Sequence, residues 1–383
     1  MTRPLHAWVC TGLGCAGVVM ASEPDEASLP AAEPSAWHET IQLKGDFRYR
    51  MEWTDRDDQD QPRRRDRIRI RIGLEADVRD GLRAHIQLAS GRDDPVSSNQ
   101  TLGESFSGKP ARLDLAYLSW KPGRIGLDVQ AGKVPLPFLC LSDLIWDPAV
   151  NPEGIGASWQ ADTDAALWLA RAGHWWVTES PSDPDTFLYS LQAAAQWKSG
   201  SNVRVLTGAS LYLYDRLKGR PMLYGGQPFG NTAMDMNAER EGQDGYEPML
   251  VFAEDYHLGE GFLQVDWDAW VPVSLYAHAV FNFAADSENV GWLAGMTLGR
   301  ARVVHSAEFG FNYRSVEKDA AVGAYTDANS GGGGTDVDGF RFFARYQVTR
   351  SMQAGASWYV QQLDPDGRKL HYNRVQIEAT ARF

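Results

Sequence analysis

Apolar and polar residues alternate one by one along residues 66–78. Side chains point alternately to the two faces of a β-strand, so a strand here would have one apolar and one charged face. The apolar face would carry Ile68, Ile70, Ile72, Leu74, Ala76 and Val78, and the charged face Arg67, Arg69, Arg71, Glu75 and Asp77. In a helix the arginines would surround the whole cylinder and leave no apolar stripe. The pattern therefore predicts a strand.

The same division recurs in residues 41–53. One face would carry Ile41, Leu43, Phe47, Tyr49, Met51 and Trp53, and the other Gln42, Lys44, Asp46, Arg48, Arg50 and Glu52. A soluble sandwich also alternates, but repeated segments of this kind separated by turn residues are typical of transmembrane β-barrels. A one-residue slip of segment 66–78 would turn its arginines towards lipid, at a cost on the order of 6 kcal/mol. We interpret the arginine face as the wall of an aqueous lumen.

About sixteen such strands are predicted, in an all-β, antiparallel transmembrane barrel. Long loops and short turns alternate between them, as they do in outer-membrane barrels. The strands are expected at about 40–53, 66–79, from 82, around 113–117, around 125–131, 154–160, 164–179, 186–198, 202–215, 261–270, 273–285, 290–299, 302–315, 339–349, 351–362 and 371–383. A tight turn is expected at 299–300. The bounds are least defined in the longest loop, 216–260, and the glycine run within 316–338 predicts a flexible extracellular loop.

The composition of the chain further limits the class of protein to which it can belong. The 383 residues carry a net charge of −13, which argues against a nucleic-acid partner. Beyond the N-terminus no apolar run approaches the roughly twenty residues that a membrane helix needs. The chain has 14 tryptophans and 14 tyrosines, which suit the aromatic girdles of a barrel. A large barrel therefore fits better than two soluble domains.

Residues 1–21 have the features of a secretory signal peptide. Arg3 supplies the positive start, an apolar centre follows, and small residues precede the expected cleavage after Ala21. Lipidation of Cys15 is an alternative, although the residue three before it is Gly12. Residues 22–38 are expected to form a flexible lead-in, and residues 39–383 a single barrel. Cys140 would be the only cysteine of the mature chain, so no internal disulfide is expected.

The segment after the fifth strand, 134–152, is unusual for a loop. It holds too many prolines for a strand ladder and is too apolar to be left in water. The barrel interior is the nearest place where it could be buried. We therefore predict an inward-folded loop that constricts the lumen.

Several stretches carry a family resemblance. They are Ala89–Gly103, Asp114–Trp120, Ala131–Phe138, Leu144–Gly154, Gly291–Gly299 and Ser330–Asp336. Together they resemble the bacterial "putative porin" family of outer-membrane channels, over most of the mature chain but least in 200–260. The resemblance implies a porin fold and passive passage of solutes, without a defined substrate.

Charge within the lumen is the main candidate functional feature. A basic wall is predicted from Arg48, Arg50, Arg67, Arg69, Arg71 and Arg83, and an acidic constriction from Asp143, Asp147 and Glu153. Opposed charges across a narrow pore would favour polar solutes. In the alternative interpretation, the arginines pair with nearby acids such as Asp46, Glu52, Glu75 and Asp77 and merely solvate a wide lumen. Both interpretations leave the ion preference open.

We predict an outer-membrane porin for ions and small hydrophilic solutes. A solute-selective channel with a dedicated binding site is the alternative, followed by a barrel enzyme or adhesin. No enzyme is expected, because no nucleophile motif frames acid–histidine pairs such as Asp255 and His257. No cofactor or metal is expected either, since the histidines are scattered and the glycine run lacks phosphate-loop or EF-hand spacing.

The expected partners follow from the predicted location of the protein in the Gram-negative outer membrane. They are membrane lipid, the permeating solutes and ions, and the barrel-assembly machinery that would recognise the C-terminal Phe383. A homotrimer is plausible by comparison with other sixteen-stranded porins. No nucleic-acid partner is expected.

Overall fold

The structure is a computed structural model, and it describes residues 40–383 apart from positions 124, 182, 201 and 244. The predicted signal peptide, 1–21, and lead-in, 22–38, lie outside the described residues. No described helix is long and apolar enough to cross a membrane.

Sixteen antiparallel strands of the described chain close into one barrel, as the alternating pattern predicts. Each strand pairs with its neighbours in sequence, and the last pairs with the first. In order they are β1 (Ile41–Arg56), β2 (Arg63–Arg79), β3 (Leu82–Ser90), β4 (Ala111–Trp120), β5 (Leu127–Lys133), β6 (Glu153–Asp162), β7 (Ala166–Thr178), β8 (Thr186–Ser199), β9 (Val203–Tyr214), β10 (His257–Trp267), β11 (Val273–Asn282), β12 (Val290–Gly299), β13 (Ala307–Val316), β14 (Val337–Gln347), β15 (Met352–Leu363) and β16 (Leu370–Arg382). Residues Gln100–Thr101 add a short pairing to β2.

The two faces of the barrel differ as expected. The register of β1 with β2 sets Phe47 opposite Ile70 and Arg48 opposite Arg69, so the strands share an apolar face and a charged face. Phe47 and Ile70 are exposed on the outside, while Arg48 is buried. This parity confirms the predicted transmembrane barrel.

Connections sort by the end of the barrel at which they lie. Short turns occupy one end, at 80–81, 121–126, 163–165, 200–202, 268–272, 300–306 and 348–351. The opposite end carries 57–62, 91–110, 134–152, 179–185, 215–256, 283–289, 317–336 and 364–369. We call these the turn end and the loop end. Because the strand number is even, β1 begins and β16 finishes at the turn end.

The structure departs from the predicted strands at a bulge in β4 and at the boundary between β12 and β13. The pairing of β3 with β4 shifts between Gln87 and Leu88, so a bulge reverses the alternation within β4. Beyond the bulge, Leu115 lines the interior and Tyr117 stacks on His85, with ring centroids 4.2 Å apart. The second difference is the start of β13, which lies at residue 307 rather than at the predicted 302. The tight turn expected at 299–300 is therefore a longer turn, 300–306.

The longest loop, 215–256, contains short elements of its own. Ala233–Asp235 pairs antiparallel with Leu250–Phe252, so this part of the loop forms a hairpin. A tight turn covers Leu223–Gly226, where Tyr224, Gly225 and Gly226 have positive φ, and single 3-10 turns cover Ala238–Arg240, Gly323–Tyr325 and Pro365–Gly367.

A hydrophobic core lies among the loops and the inward-facing side chains near the loop end. Phe138 and Trp146 of loop 134–152 pack on Tyr212 of β9, with ring centroids 4.9 and 5.4 Å apart. Trp146 also stacks on Tyr325 of loop 317–336, at 5.8 Å. A sixteen-stranded barrel is too wide for strand side chains to fill, so loop residues complete this core.

Candidate pore and its lining

The six arginines of the predicted basic wall share the inward face of β1, β2 and β3. Their side chains become more accessible towards the turn end, from 7% exposed at Arg50 through 29% at Arg71 to 43% at Arg83. The alternation brings them together because β1 pairs with β2 over Ile41–Thr54 and Arg63–Ala76, and β2 pairs in turn with β3. The wall is therefore enclosed near the loop end and open near the turn end.

An acid lies beside each of these six arginines. Asp46 pairs with Arg69 at 2.7 Å and with Arg71 at 2.6 Å, and Glu378 of β16 pairs with Arg50 at 2.6 Å. Further pairs on the same wall are Arg48–Glu378, Arg50–Glu52, Arg65–Glu52, Arg67–Glu52, Arg83–Glu75 and Arg83–Asp77. Local pairing is thus extensive, as in the alternative interpretation of the sequence. An excess of positive charge remains on this wall because several arginines share one acid.

Asp143 lies buried in loop 134–152, between two arginines that the sequence interpretation did not single out. It accepts hydrogen bonds from Arg314 of β13 and, at 3.0 Å, from Arg341 of β14. Burial alone would raise the pKa of Asp143, but the two guanidinium groups outweigh it and lower the pKa. The alternation of apolar and polar residues in β13 and β14 is a signal from which both arginines could have been predicted to face the lumen. Nothing in the sequence, however, indicates that Asp143 of the loop is their partner.

Asp147 lies four residues further on, in a different environment. Its carboxylate accepts hydrogen bonds from the backbone N–H groups of Ala149, at 2.8 Å, and Ala328, at 3.1 Å. Burial, together with the nearby charge of Asp327, raises the pKa of Asp147 to about 8. This residue joins loop 134–152 to loop 317–336.

Glu153 is separated from the two buried aspartates. It is the first residue of β6 and has the parity of the exposed Ile155. Its side chain is 62% exposed and pairs with Lys133 at 2.7 Å. The three predicted acids of the constriction are therefore not brought together, because the strand begins at Glu153 and turns its side chain outward.

Loop 317–336, expected to be a flexible extracellular loop, is largely buried and hydrogen-bonded. The Oδ1 of Asn329 accepts hydrogen bonds from Arg50, at 3.1 Å, and Gln376, at 2.9 Å. In the glycine run, a Cβ at Gly334 would lie 2.3 Å from the carbonyl oxygen of Phe229, and φ is +112°. The glycines thus permit close packing of backbone against backbone rather than mobility.

A cavity of about 560 Å³ extends from loop 134–152 towards the turn end. Its wall combines loop residues with inward side chains from strands around most of the barrel. The charged lining residues are Arg71, Arg171, Arg204, Arg300, Arg302, Arg341 and Arg345, with Asp46, Asp128, Asp143, Asp266 and Glu308. Such a lining suits water and polar solutes, with more positive than negative groups. Among the described residues, no group of three or more His, Cys, Asp or Glu side chains is arranged to hold a metal ion.

Comparison with known families identifies this arrangement. The family model described as "Putative porin" matches residues 53–257 and 269–383. The chain belongs to this family. Family and fold together make the protein an outer-membrane porin channel.

Solved structures share the fold of this porin at low sequence identity. The high-pH structure of Pseudomonas putida OprB is 14% identical, with a TM-score of 0.56, over 90% of this chain and 95% of that one. The Salmonella typhi OmpF complex with daunomycin is 10% identical, with a TM-score of 0.53, over 91% and 99%. No curated protein matches this sequence.

Exposed tryptophans lie near both ends of the porin's outer surface. Trp120, Trp159, Trp168, Trp197 and Trp267 lie near the turn end, and Trp53, Trp176 and Trp292 near the loop end. Aromatic belts at the two membrane interfaces are typical of barrels in a bilayer. They agree with the outer-membrane location to which the family and the fold point.

Proposed function

We propose that this porin passes ions and small hydrophilic solutes by passive diffusion, with loop 134–152 narrowing the lumen. The observation that carries the proposal is the polar cavity of about 560 Å³, whose wall is formed by this loop and by charged strand residues. Asp143 supports the constriction role because it ties the loop to Arg314 and Arg341 on the far strands. Flux through such a pore is linear in solute concentration.

The excess of arginine in the lining gives the pore a preference for anions. A unit charge about 10 Å from a permeating ion in water contributes about 0.4 kcal/mol, or roughly a factor of two in relative permeability. Salt bridges between lining residues weaken this field without cancelling it, because arginines outnumber acids. The sign of the reversal potential under a KCl gradient reports the preference directly.

The double variant Arg71→Gln/Arg83→Gln tests the origin of the preference. Both side chains are partly exposed inside the lumen, and Asp46 keeps Arg69 as a partner when Arg71 is neutralised. We expect the anion-to-cation permeability ratio to fall by about twofold to fourfold. Arg64→Gln is the matched control, because Arg64 lies on β2 with the opposite parity and stacks over Trp53. An unchanged reversal potential in the double variant would contradict the proposal.

A solute-selective channel is the second candidate. It is favoured by the three loops, 134–152, 215–256 and 317–336, whose residues share one buried core near the loop end. A pore enclosed in this way restricts the shape of what enters. Saturable flux of one solute in liposomes would support selectivity, whereas linear flux supports the general pore.

Export and assembly complete the proposal. The chain is exported through the periplasm with residues 1–21 as its signal peptide, recognised through its C-terminal strand by the assembly machinery, and inserted as a homotrimer. Native mass spectrometry of the protein extracted from outer membranes tests two of these points at once. A subunit that begins after Ala21, in particles of three copies, is expected; a lipidated Cys15 or a monomer would contradict the respective point.

A further inference from the structure

Three polar side chains form a hydrogen-bonded row inside the barrel. The hydroxyl of Ser142, in loop 134–152, lies 2.7 Å from Nε2 of His278. Nδ1 of the same imidazole lies 3.2 Å from Oε1 of Glu260. The row therefore connects a hydroxyl, an imidazole and a carboxylate in the order used by serine hydrolases.

The sheet register fixes the acid and the histidine. Glu260 of β10 pairs with Val280 of β11, so His278 is its diagonal neighbour on the inward face. The second carboxylate oxygen of Glu260 accepts hydrogen bonds from Ser210, at 2.8 Å, and Tyr212, at 3.2 Å. With that oxygen engaged, the other is directed at the imidazole.

Neighbouring contacts hold Ser142 in place. The adjacent Asp143 is tied to Arg314 and Arg341, and the backbone of Leu139 bonds Gln192 on both its N–H and its carbonyl. His278 and Glu260 are almost fully buried, at 1% and 3% side-chain exposure. Ser142 itself is half-buried and lines the cavity. The hydroxyl is thus the member of the row that a solute in the cavity can reach.

The order of the contacts defines the proton positions. With Nδ1–H donating to the Glu260 carboxylate, Nε2 is left as the acceptor of the Ser142 proton. Passive diffusion through a pore needs no such arrangement. We propose that Ser142 is an activated nucleophile in the pore lining, which takes the acyl group from small esters that enter the cavity.

The reaction is ester hydrolysis in two steps. The Ser142 oxygen bonds to the ester carbonyl carbon while its proton passes to Nε2 of His278; the ester C–O bond then breaks, and the alcohol leaves with that proton. Water attacks the resulting acyl-serine through the same imidazole, which releases the acid and restores the hydroxyl. Glu260 keeps the imidazole in the required tautomer and stabilises its protonated form.

The cavity indicates the class of ester. Its volume of about 560 Å³ admits only a small molecule. Arg171 and Arg341 lie in the same lining as Ser142. Their positive charge favours esters that carry a carboxylate.

Covalent labelling of the folded porin tests the inference. A small fluorophosphonate, which loses fluoride when a nucleophilic serine attacks it, is added to the purified barrel, and the labelled residue is located by peptide mass mapping. We expect label on Ser142, no label there in Ser142→Ala, and labelling slowed by at least about 100-fold in His278→Gln. Ser158→Ala is the matched control, because Ser158 lines the same cavity on β6; it should be labelled like the wild type. Hydrolysis of p-nitrophenyl acetate should follow the same order.

Channel conductance, recorded on the same preparations, separates this inference from the proposed function. A conducting wild-type porin that takes no label would overturn the inference and leave the pore intact. Label that persists in Ser142→Ala, or that forms equally fast in His278→Gln, would overturn it as well. Peptide mapping of the wild type alone decides the site should a variant fail to fold.

Discussion

At the scale of single residues, two aspartates four positions apart illustrate how surroundings set charge. Asp143 faces Arg314 and Arg341 and is held as a carboxylate. Asp147 faces Asp327, and Asp143 adds further negative charge, while burial removes water from all three. Within the described part of the chain, the two buried arginines pair only with Asp143 and Asp327, and the whole cluster of three acids and two arginines is electrically balanced when one acid carries a proton. Asp147, with its raised pKa, is the acid best suited to carry it.

The contact between loops 134–152 and 317–336 should therefore depend on pH. The pKa of Asp147 in the folded protein, about 8, lies above its ordinary value of 3.8, because of burial and the charge of Asp327. A proton is then bound more tightly in the packed state, so its stabilising effect is present at low pH and lost as the pH rises through about 8. We expect more frequent current fluctuations at pH 9 than at pH 6.

Asp147→Asn should abolish this dependence, because an amide cannot ionise. Glu153→Gln removes an exposed acid beside the same loop and should leave the dependence unchanged. Equal fluctuation rates at the two pH values in the wild-type porin, or a persistent dependence in Asp147→Asn, would show that Asp147 does not control the contact.

At the scale of elements, Asp143 ties loop 134–152 to the barrel wall through buried ion pairs with Arg314 and Arg341. Asp143→Ala leaves Arg314 and Arg341 buried without this partner, and breaking a buried ion pair on one side costs about 3–5 kcal/mol. We expect the loop to detach and single-channel conductance to rise. Glu153→Ala breaks an exposed pair worth about 0–1 kcal/mol and should keep the wild-type conductance. Identical conductance in the two variants would rule out Asp143 as the anchor.

The sequence predicts elements better than it predicts contacts between them. Strand parity and the closed barrel follow from side-chain alternation, since lipid and water leave little freedom on either face. The bulge in β4 was not predicted, because its extra residue reverses the alternation and no glycine or proline marks the position. The partners of Asp143, Asp147 and Ser142 on other strands and loops lie more than 100 residues away. The periodicity of apolar and polar residues along the chain does not predict such long-range contacts between side chains.

At the scale of the whole molecule, closure depends on the pairing of the last strand with the first. Gly45 and Phe383 exchange two backbone hydrogen bonds, of 2.8 and 3.1 Å, at the turn end. The Phe383 ring covers Gly45, where a Cβ would lie 2.6 Å from it. An aromatic ring over a glycine shields the backbone at this seam from lipid and fixes the register of the two strands.

Phe383→Ala should therefore lower the yield of assembled porin in cells, because it removes both the seam contact and the terminal aromatic that we propose as the assembly signal. Phe309→Ala is the matched control: Phe309 is equally exposed, at 58%, on the outer face of β13 but away from the seam. Heat-modifiable mobility on gels measures the folded fraction in outer membranes, and detergent refolding of the same variants measures intrinsic stability. A loss in cells with normal refolding assigns Phe383 to recognition, whereas a loss in both assigns it to closure of the barrel. Yields equal to those of Phe309→Ala in both assays would remove Phe383 from either role.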